Sequence, residues 1–155
     1  MNTLTRARSK PQGRGFTLIE LLVAVAIVAI LAAVALPTFI DSVRKGRRSD
    51  AFAAIAAIQQ AQERWRANNP SYNSSLGSPP SGLNISEPAN YGLAITDAAA
   101  NGYVITATGR AAQASDRNCK LLSLRMLDGN ITYAACENCT FTTASYTATN
   151  TCWSR

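Results

Sequence analysis

One segment of this chain is long enough and apolar enough to cross a membrane. Residues 16–36 carry a single charge, Glu20, and all sixteen residues from 21 to 36 are apolar. As a helix, 21 residues at ~1.5 Å each would span ~30 Å, which is the thickness of a bilayer core. The preceding residues 1–15 are basic and contain no acid. This flank predicts a membrane helix with its N-terminus in the cytoplasm.

Two ordinary interpretations of this segment compete. It is either a secretory signal peptide, with the Ala-Val-Ala stretch at 33–35 as a cleavage site, or a single-pass anchor that stays attached. Neither interpretation explains Glu20, because a carboxylate in an apolar membrane helix costs on the order of a few kcal/mol. Such a residue normally has a partner.

The residues around Glu20 resemble a known processing signal. The sequence GFTLIE at 15–20, the apolar run that begins Leu21-Leu22-Val23, and Pro37 at its far end are similar to the class III signal of type IV pilins. The resemblance implies that a prepilin peptidase cuts between Gly15 and Phe16 and methylates the new amine of Phe16. Residues 1–15 would be a removed leader, 16–36 a helix for the membrane and filament core, and 37–155 a periplasmic or extracellular head.

The same resemblance gives Glu20 a role in assembly. In this family the glutamate pairs with the free N-terminal amine of a neighbouring subunit, here that of Phe16. An ion pair among apolar helices would compensate a charge that is otherwise stranded. The implied partners are other pilin subunits, the prepilin peptidase, the inner-membrane assembly machinery and, before assembly, the membrane itself. The final location would be an extracellular pilus.

A second helical stretch follows Pro37 and runs to about residue 67. Its apolar face follows helical spacing through Ala51, Ile55, Ile58, Gln62 and Trp65. Asn68-Asn69-Pro70 should end the helix, because proline cannot continue it. Pro37 should kink the combined helix or loosen its hydrogen bonds. By resemblance this is one long pilin helix whose first half protrudes and whose second half packs on the head.

A basic cluster lies early in this second stretch, at Arg44, Lys45, Arg47 and Arg48. It would suit lipid head groups, acidic neighbours in a filament, or DNA. It would equally suit a solvated helix face, since Asp41 and Asp50 flank the cluster and are placed to pair with it.

The remaining residues predict loops and strands. Residues 70–90 are rich in proline, glycine, serine and asparagine and should form a loop. Alternating apolar residues predict strands near 91–95, 103–106, 121–127 and 131–134, with a hairpin turn at Asp128-Gly129-Asn130. The prediction is an α+β fold: a four-stranded antiparallel sheet, covered by the long helix and closed by C-terminal disulfides.

Four cysteines lie near the C-terminus, at Cys119, Cys136, Cys139 and Cys152. An even number in an exported domain favours disulfides over a metal site or a redox-active motif, and three connectivities are open. The pilin resemblance implies Cys119 with Cys152 and Cys136 with Cys139. The Cys136-x-x-Cys139 pair is an addition to the simplest pilins of this type.

Charge and composition limit the possible functions. The net charge is +6, but four cations lie within the first 14 residues, and without them the charge is +2. A broadly basic nucleic-acid-binding domain is therefore not indicated. The chain contains no histidine, which removes Ser-His and Cys-His nucleophile pairs. We expect no enzyme activity, no metal and no cofactor.

The head also resembles a subgroup of pilins. GYVITAT at 102–108, DRNCKL at 116–121 and Cys152-Trp153 are similar to the PilE-type minor pilins of type IV systems, to which the DNA-uptake ComP pilins are related. This implies a minor pilin for pilus assembly, twitching motility and adhesion. A second hypothesis is a ComP-like DNA receptor, and a third is a pseudopilin of type II secretion.

The DNA hypothesis depends on four cations on or near adjoining strands. They are Arg110, Arg117, Lys120 and Arg125. Together they would form a phosphate-contacting stripe. Asp116 and Asp128 interrupt that stripe, so solvated surface cations are the competing interpretation.

Overall fold

The computed structural model describes residues 15–142, 145–147 and 150–153. One long helix, α1 (Leu18–Arg66), is followed by four strands: β1 (Tyr91–Thr96), β2 (Gly102–Gly109), β3 (Leu121–Leu127) and β4 (Asn130–Cys136). A short 3₁₀ helix, Ala111–Ser115, lies between β2 and β3. The residues fall into two compact units, divided after Phe39.

In the first unit, α1 exposes its apolar side chains. The exposed fraction of the large ones ranges from 51% at Val23 to 79% at Leu18. This part of α1 is long and apolar enough to cross a membrane. The helix continues through Pro37, and the Thr38 hydroxyl donates to the Ala35 carbonyl at 2.9 Å. The predicted kink at Pro37 stays a prediction.

In the second unit, α1 buries one face. Ala51, Ile55, Ile58 and Gln62 are at most 1% exposed, which confirms the face predicted from helical spacing. Trp65 is half-buried, and its indole N–H donates to the Ser71 carbonyl at 3.2 Å. The Asn69 side-chain amide donates to the Trp65 carbonyl at 2.9 Å. This bond satisfies one of the last carbonyls of the helix, which have no partner within it.

The four strands form an antiparallel meander in the order β1-β2-β3-β4. Alternate residues of β3, namely Leu122, Leu124 and Met126, are buried in the same core as Ile55 and Ile58. The predicted α+β fold, with one long helix packed on a four-stranded antiparallel sheet, is therefore confirmed.

The β3–β4 hairpin turns where the sequence predicts. Asp128 and Gly129 both have positive φ, at 49° and 80°, and Leu127 pairs with Asn130 across the turn. A two-residue hairpin turn of type I′ needs positive φ at both central positions, and Asp-Gly meets this need at low steric cost.

A polar contact anchors the 70–90 loop to the helix. The Gln62 side-chain amide donates to the Asn73 carbonyl at 2.6 Å and its oxygen accepts the Asn73 N–H at 2.9 Å. The Asn73 side chain in turn donates to the Ser81 carbonyl at 3.0 Å. Gln62 is fully buried, so this two-way bond satisfies a polar side chain that would otherwise be costly inside the core.

Two disulfides close the C-terminal region. Cys119 is bonded to Cys152, with Cα atoms 5.7 Å apart, and Cys136 is bonded to Cys139, with Cα atoms 6.1 Å apart. This is the pairing that the family resemblance implies. Between them, Thr147 forms a single backbone bridge with Tyr133 of β4. Residues 143–144 and 148–149 of this stretch lie outside the described part of the chain.

Trp153, which follows Cys152 in the sequence, is partly buried and packs against the core. The centre of the Trp153 ring lies 5.0 Å from the centre of the Phe52 ring of α1 and 4.7 Å from the centre of the Tyr133 ring of β4. Its indole N–H donates to the Ala134 carbonyl at 3.1 Å. The tail therefore joins the helix and the outer strand.

Candidate assembly site and head surface

The N-terminal end of α1 has a defined cap. The Thr17 side-chain oxygen accepts the Glu20 N–H at 3.2 Å, and the Thr17 carbonyl accepts the Leu21 N–H at 3.2 Å. A threonine three residues before a glutamate is the spacing of a capping box. The cap was not predicted, although the Thr-x-x-Glu spacing contains the signal. It fixes Glu20 in the first turn of the helix.

The residues predicted to be processed lie just before this cap. Gly15 and Phe16 precede the helix, and Phe16 is 85% exposed. Glu20 is also exposed, on a helix whose neighbouring side chains Ile19 and Leu21 are 66% and 60% exposed. The predicted leader lies outside the described residues, apart from Gly15. Glu20 is therefore the single carboxylate at the start of an apolar helix, a position suited to pairing with a cation when the helix is surrounded by apolar side chains.

Two cations of the basic cluster at residues 44–48, Arg44 and Arg48, pair with carboxylates of the head. Arg44 pairs with Asp41 at 3.2 Å, as the sequence indicated. Arg48 makes two 2.8 Å hydrogen bonds to the carboxylate of Asp116, 68 residues away. Asp50 accepts a 3.4 Å hydrogen bond from Asn90. Lys45 is exposed and Arg47 is half-buried.

A buried polar network surrounds the Arg48–Asp116 pair. The two side chains are 15% and 6% exposed, and the fully buried Gln113 amide donates to Asp116 at 2.9 Å. The same amide donates to the Arg44 carbonyl at 3.3 Å. Burial, with the nearby Asp116 charge adding to it, raises the pKa of Tyr91 to about 12. The network holds the 3₁₀ helix against α1.

Two of the four predicted DNA-contacting cations have polar partners. Arg110 follows β2 and pairs with Glu87 at 2.8 Å, while its guanidinium lies so close to Gly92 that any side chain there would force the guanidinium to move. Leu93 donates its N–H to the same Glu87 carboxylate at 2.7 Å. These contacts lower the pKa of Glu87, chiefly through the Leu93 N–H and then through Arg110. Lys120 donates to the Asn138 side chain at 2.9 Å.

The other two predicted cations differ in surroundings. The Arg125 guanidinium lies 4.6 Å from the centre of the Tyr146 ring, a distance at which a cation attracts the ring face. The Tyr146 hydroxyl lies 2.9 Å from the Ser123 hydroxyl, so Tyr146 packs on the sheet. Arg117 is exposed in the turn before β3.

The predicted stripe is therefore modified by the fold. Asp116, which was expected to interrupt it, is buried and directed at Arg48. Asp128 instead accepts a 3.0 Å hydrogen bond from Asn101 at the opposite end of β3 from Arg117 and Lys120. Within the described ranges, no cluster of cysteine and acidic side chains has the arrangement of a metal site.

Comparison with protein-family models gives two matches. Residues 11–36 match the prokaryotic N-terminal methylation motif. Residues 37–123 match the family described as type IV minor pilin ComP, DNA uptake sequence receptor. The second match covers more than half of the chain and contains the second half of α1, β1, β2, the 3₁₀ helix and the first three residues of β3.

Individual relatives are pilins. The type IV wide pilus major component PilA4 of Thermus thermophilus is 39% identical over 94 residues, which are 61% of this chain and 72% of that protein. The type IV major pilin protein PilE1 of Neisseria gonorrhoeae is 40% identical over 88 residues, 54% of this chain and 48% of PilE1.

The type IV major pilin protein PilA of Myxococcus xanthus is 40% identical over 67 residues, 43% of this chain and 30% of that protein. The chain thus spans less than half the length of two of these three relatives. The matches nevertheless cover both the N-terminal motif and the head, and the fold is that expected of a pilin. The chain belongs to the type IV pilin family and is related to the ComP minor pilins.

Proposed function

We propose that this protein is a minor subunit of a type IV pilus and enters the filament through Glu20. The observation that carries the proposal is an exposed carboxylate in the first turn of a helix whose apolar side chains are also exposed. In a bundle of such helices, burying the apolar surface is favourable. A buried carboxylate then needs a cation, and the Phe16 amine of a neighbouring subunit is the proposed partner.

Processing and location follow from the same proposal. A prepilin peptidase cleaves between Gly15 and Phe16 and methylates Phe16, which the match to the methylation motif supports. Residues 16–36 then hold the subunit in the inner membrane, with a cytoplasmic N-terminus, until the assembly machinery moves it into the extracellular pilus. Residues 37–155 form the exported head. This structural role requires no catalysis by the chain itself.

Minor status is supported by the family match over residues 37–123, whose description names a minor pilin. The individual relatives above carry the word major in their names. We favour the minor role because the family match covers most of the head. Such a subunit would prime or join pili that serve twitching motility and adhesion. The pseudopilin hypothesis gains no support from these pilin matches.

The variant Glu20→Ala tests the assembly proposal. It should insert in the membrane and be processed normally, yet be absent from sheared pili, because the stranded Phe16 amine of a neighbour loses its partner. Immunoblots of membrane and pilus fractions measure this. Glu63→Ala is the matched control, since Glu63 is an exposed glutamate on the head half of the same helix. Wild-type levels of Glu20→Ala in pili would contradict the proposal.

A second candidate function is DNA binding by the head. The ComP family match favours it, and the exposed Arg117 lies close in sequence to Lys120, which is half-buried. Such cations bind phosphates without reading the bases. Because Arg110 already pairs with Glu87, we place the main contact at the turn before β3, around Arg117 and Lys120.

A gel-shift series with the full chain in detergent tests this second function. Wild type should shift duplex DNA at low salt, and Arg117→Gln should weaken binding and reduce the salt slope by about one phosphate contact. Arg64→Gln, which removes an exposed arginine of α1, should bind as wild type does. Absence of any wild-type shift at low salt would rule the function out without affecting the pilus role.

A further inference from the structure

The two disulfides of the head lie in opposite environments. Cys119 and Cys152 are 3% and 4% exposed and join residues 33 apart. Cys136 is half-buried, Cys139 is exposed, and only Glu137 and Asn138 separate them. A thiol reagent should therefore reach the Cys136–Cys139 bond far more easily than the Cys119–Cys152 bond. Exposed disulfides are as a class the more easily exchanged ones.

The tail does not depend on the Cys136–Cys139 bond for its attachment. Tyr133 and Thr147 exchange two backbone hydrogen bonds of 3.0 and 2.9 Å. Beyond them, Cys152 is bonded to Cys119, and Trp153 packs on Phe52. Opening the smaller ring, which the Cys136–Cys139 bond closes, would leave all of these contacts in place. These contacts predict that the head stays folded when the Cys136–Cys139 bond is broken.

A cation lies against the smaller ring. The Lys120 ammonium donates at 2.9 Å to the side chain of Asn138, which lies between the two cysteines. The next residue, Leu121, pairs directly with Cys136 across β3 and β4. A positive charge at this position would stabilise a thiolate that leaves when the bond is attacked. Glu137, within the ring, would act in the opposite sense.

We propose that Cys136–Cys139 is a thiol–disulfide exchange site for an exported protein dithiol. A thiolate of that dithiol attacks Cys139 Sγ, the Cys136–Cys139 bond breaks, and its electron pair leaves on Cys136 Sγ as a thiolate. The second thiol of the partner, once deprotonated, attacks the mixed disulfide and releases Cys139 as a thiolate. The partner ends as a disulfide, and the pilin gains two electrons, with protons taken up according to pH.

The first test titrates the full chain in detergent with dithiothreitol as the dithiol, then alkylates it and maps the modified cysteines by mass spectrometry. Cys136 and Cys139 should be alkylated together at concentrations where Cys119 and Cys152 stay linked. The head should remain folded, as reported by near-UV circular dichroism. Simultaneous opening of both disulfides, or earlier opening of Cys119–Cys152, would overturn the proposal.

The second test uses variants that retain all four cysteines. Lys120→Gln should slow the opening about threefold, the change expected for a leaving thiol whose pKa rises by about one unit. Lys120→Arg should restore the wild-type rate, and Lys45→Gln, an exposed lysine of α1, should leave it unchanged. An unchanged rate in Lys120→Gln would show that the cation does not assist exchange.

A third test compares two double variants and separates exchange from folding. The double change Cys136→Ser and Cys139→Ser should melt within a few degrees of wild type, because the tail keeps its other attachments. The double change Cys119→Ser and Cys152→Ser should melt far lower. If the first pair of changes unfolds the head, Cys136–Cys139 is a structural bond and the proposed exchange site is excluded.

Discussion

Both halves of α1 are helical, but the first half exposes its apolar side chains and the second half buries them. Before Phe39, large apolar side chains such as Ile27 and Leu31 are 53% and 64% exposed. From Ala51 onward, Ile55 and Ile58 are at most 1% exposed and lie in the core beneath the sheet. The second half packs its apolar face on the sheet, whereas the first half has no such apolar partner among the described residues.

This difference shows how a continuous helix can serve two purposes. Helix formation requires only local hydrogen bonds and compatible residues, whereas burial requires a complementary surface. The sheet supplies that surface to the second half. Residues 21–36 of the first half are all apolar, and a helix that is hydrophobic all round belongs in a bilayer or among other helices. Membrane and filament are the two environments proposed for it.

The largest expected effect comes from comparing the same substitution in both halves. Ile58→Ala should lower the free energy of unfolding of the head by about 2–5 kcal/mol, because it removes buried methyl groups and leaves a cavity. Ile27→Ala should change it by less than about 0.5 kcal/mol. Denaturant unfolding in detergent, followed by Trp65 and Trp153 fluorescence, measures both. Equal losses would show that the first half also has a partner within the chain.

A smaller effect is expected from the pair that fixes α1 to the 3₁₀ helix. Arg48→Met keeps the aliphatic stem but leaves the Asp116 carboxylate buried without its cation, at a cost of about 3 kcal/mol. Arg47→Met is the matched control and should cost less than about 0.5 kcal/mol. Adding Asp116→Asn to Arg48→Met should recover part of the loss. No recovery would mean that the charge is not what destabilises the single variant.

The smallest effect concerns how the stability of the head depends on acid through Glu87, which accepts a hydrogen bond from Leu93 of β1. The pKa of Glu87 lies below its ordinary value of 4.5, so its charged form is favoured by folding. Its contribution is present above that ordinary value and is lost as pH falls through the lowered pKa. With Glu87 35% and Arg110 56% exposed, we expect about 0.5 kcal/mol.

Acid titration of thermal stability measures this contribution. Glu87→Gln should flatten the loss of stability below the ordinary glutamate pKa, since the amide oxygen still accepts from Leu93 but no longer titrates. Glu63→Gln should retain the wild-type profile. A Glu87→Gln profile identical to wild type would show that another carboxylate dominates the acid dependence.

Local patterns were sufficient to predict most of the fold. Helical spacing identified the buried face of α1, and alternation with an Asp-Gly turn identified the β3–β4 hairpin. The contacts that could not be predicted join distant positions. Arg48 and Asp116 are 68 residues apart, and no periodicity marks them as partners. The packing of Trp153 against Phe52 and Tyr133 likewise depends on the path of the tail.

The candidate sites divide in the same way. Gly15, Phe16 and Glu20 were identified because they form a short contiguous motif, although their role rests on the family resemblance. Arg110, Arg117, Lys120 and Arg125 were grouped because they lie on or near adjoining predicted strands. In the folded head, Arg110 forms an ion pair with Glu87, and Arg125 lies against the Tyr146 ring. A surface assembled from separate strands depends on such pairings, which sequence alone does not specify.

Intact mass spectrometry of the exported protein tests the central claim most directly. If residues 16–36 are the helix that is retained for the filament, the mass should correspond to a chain that begins at Phe16 and carries one N-terminal methyl group. A mass that still includes the basic leader, or one that lacks the apolar segment through cleavage near residues 33–35, would contradict the account.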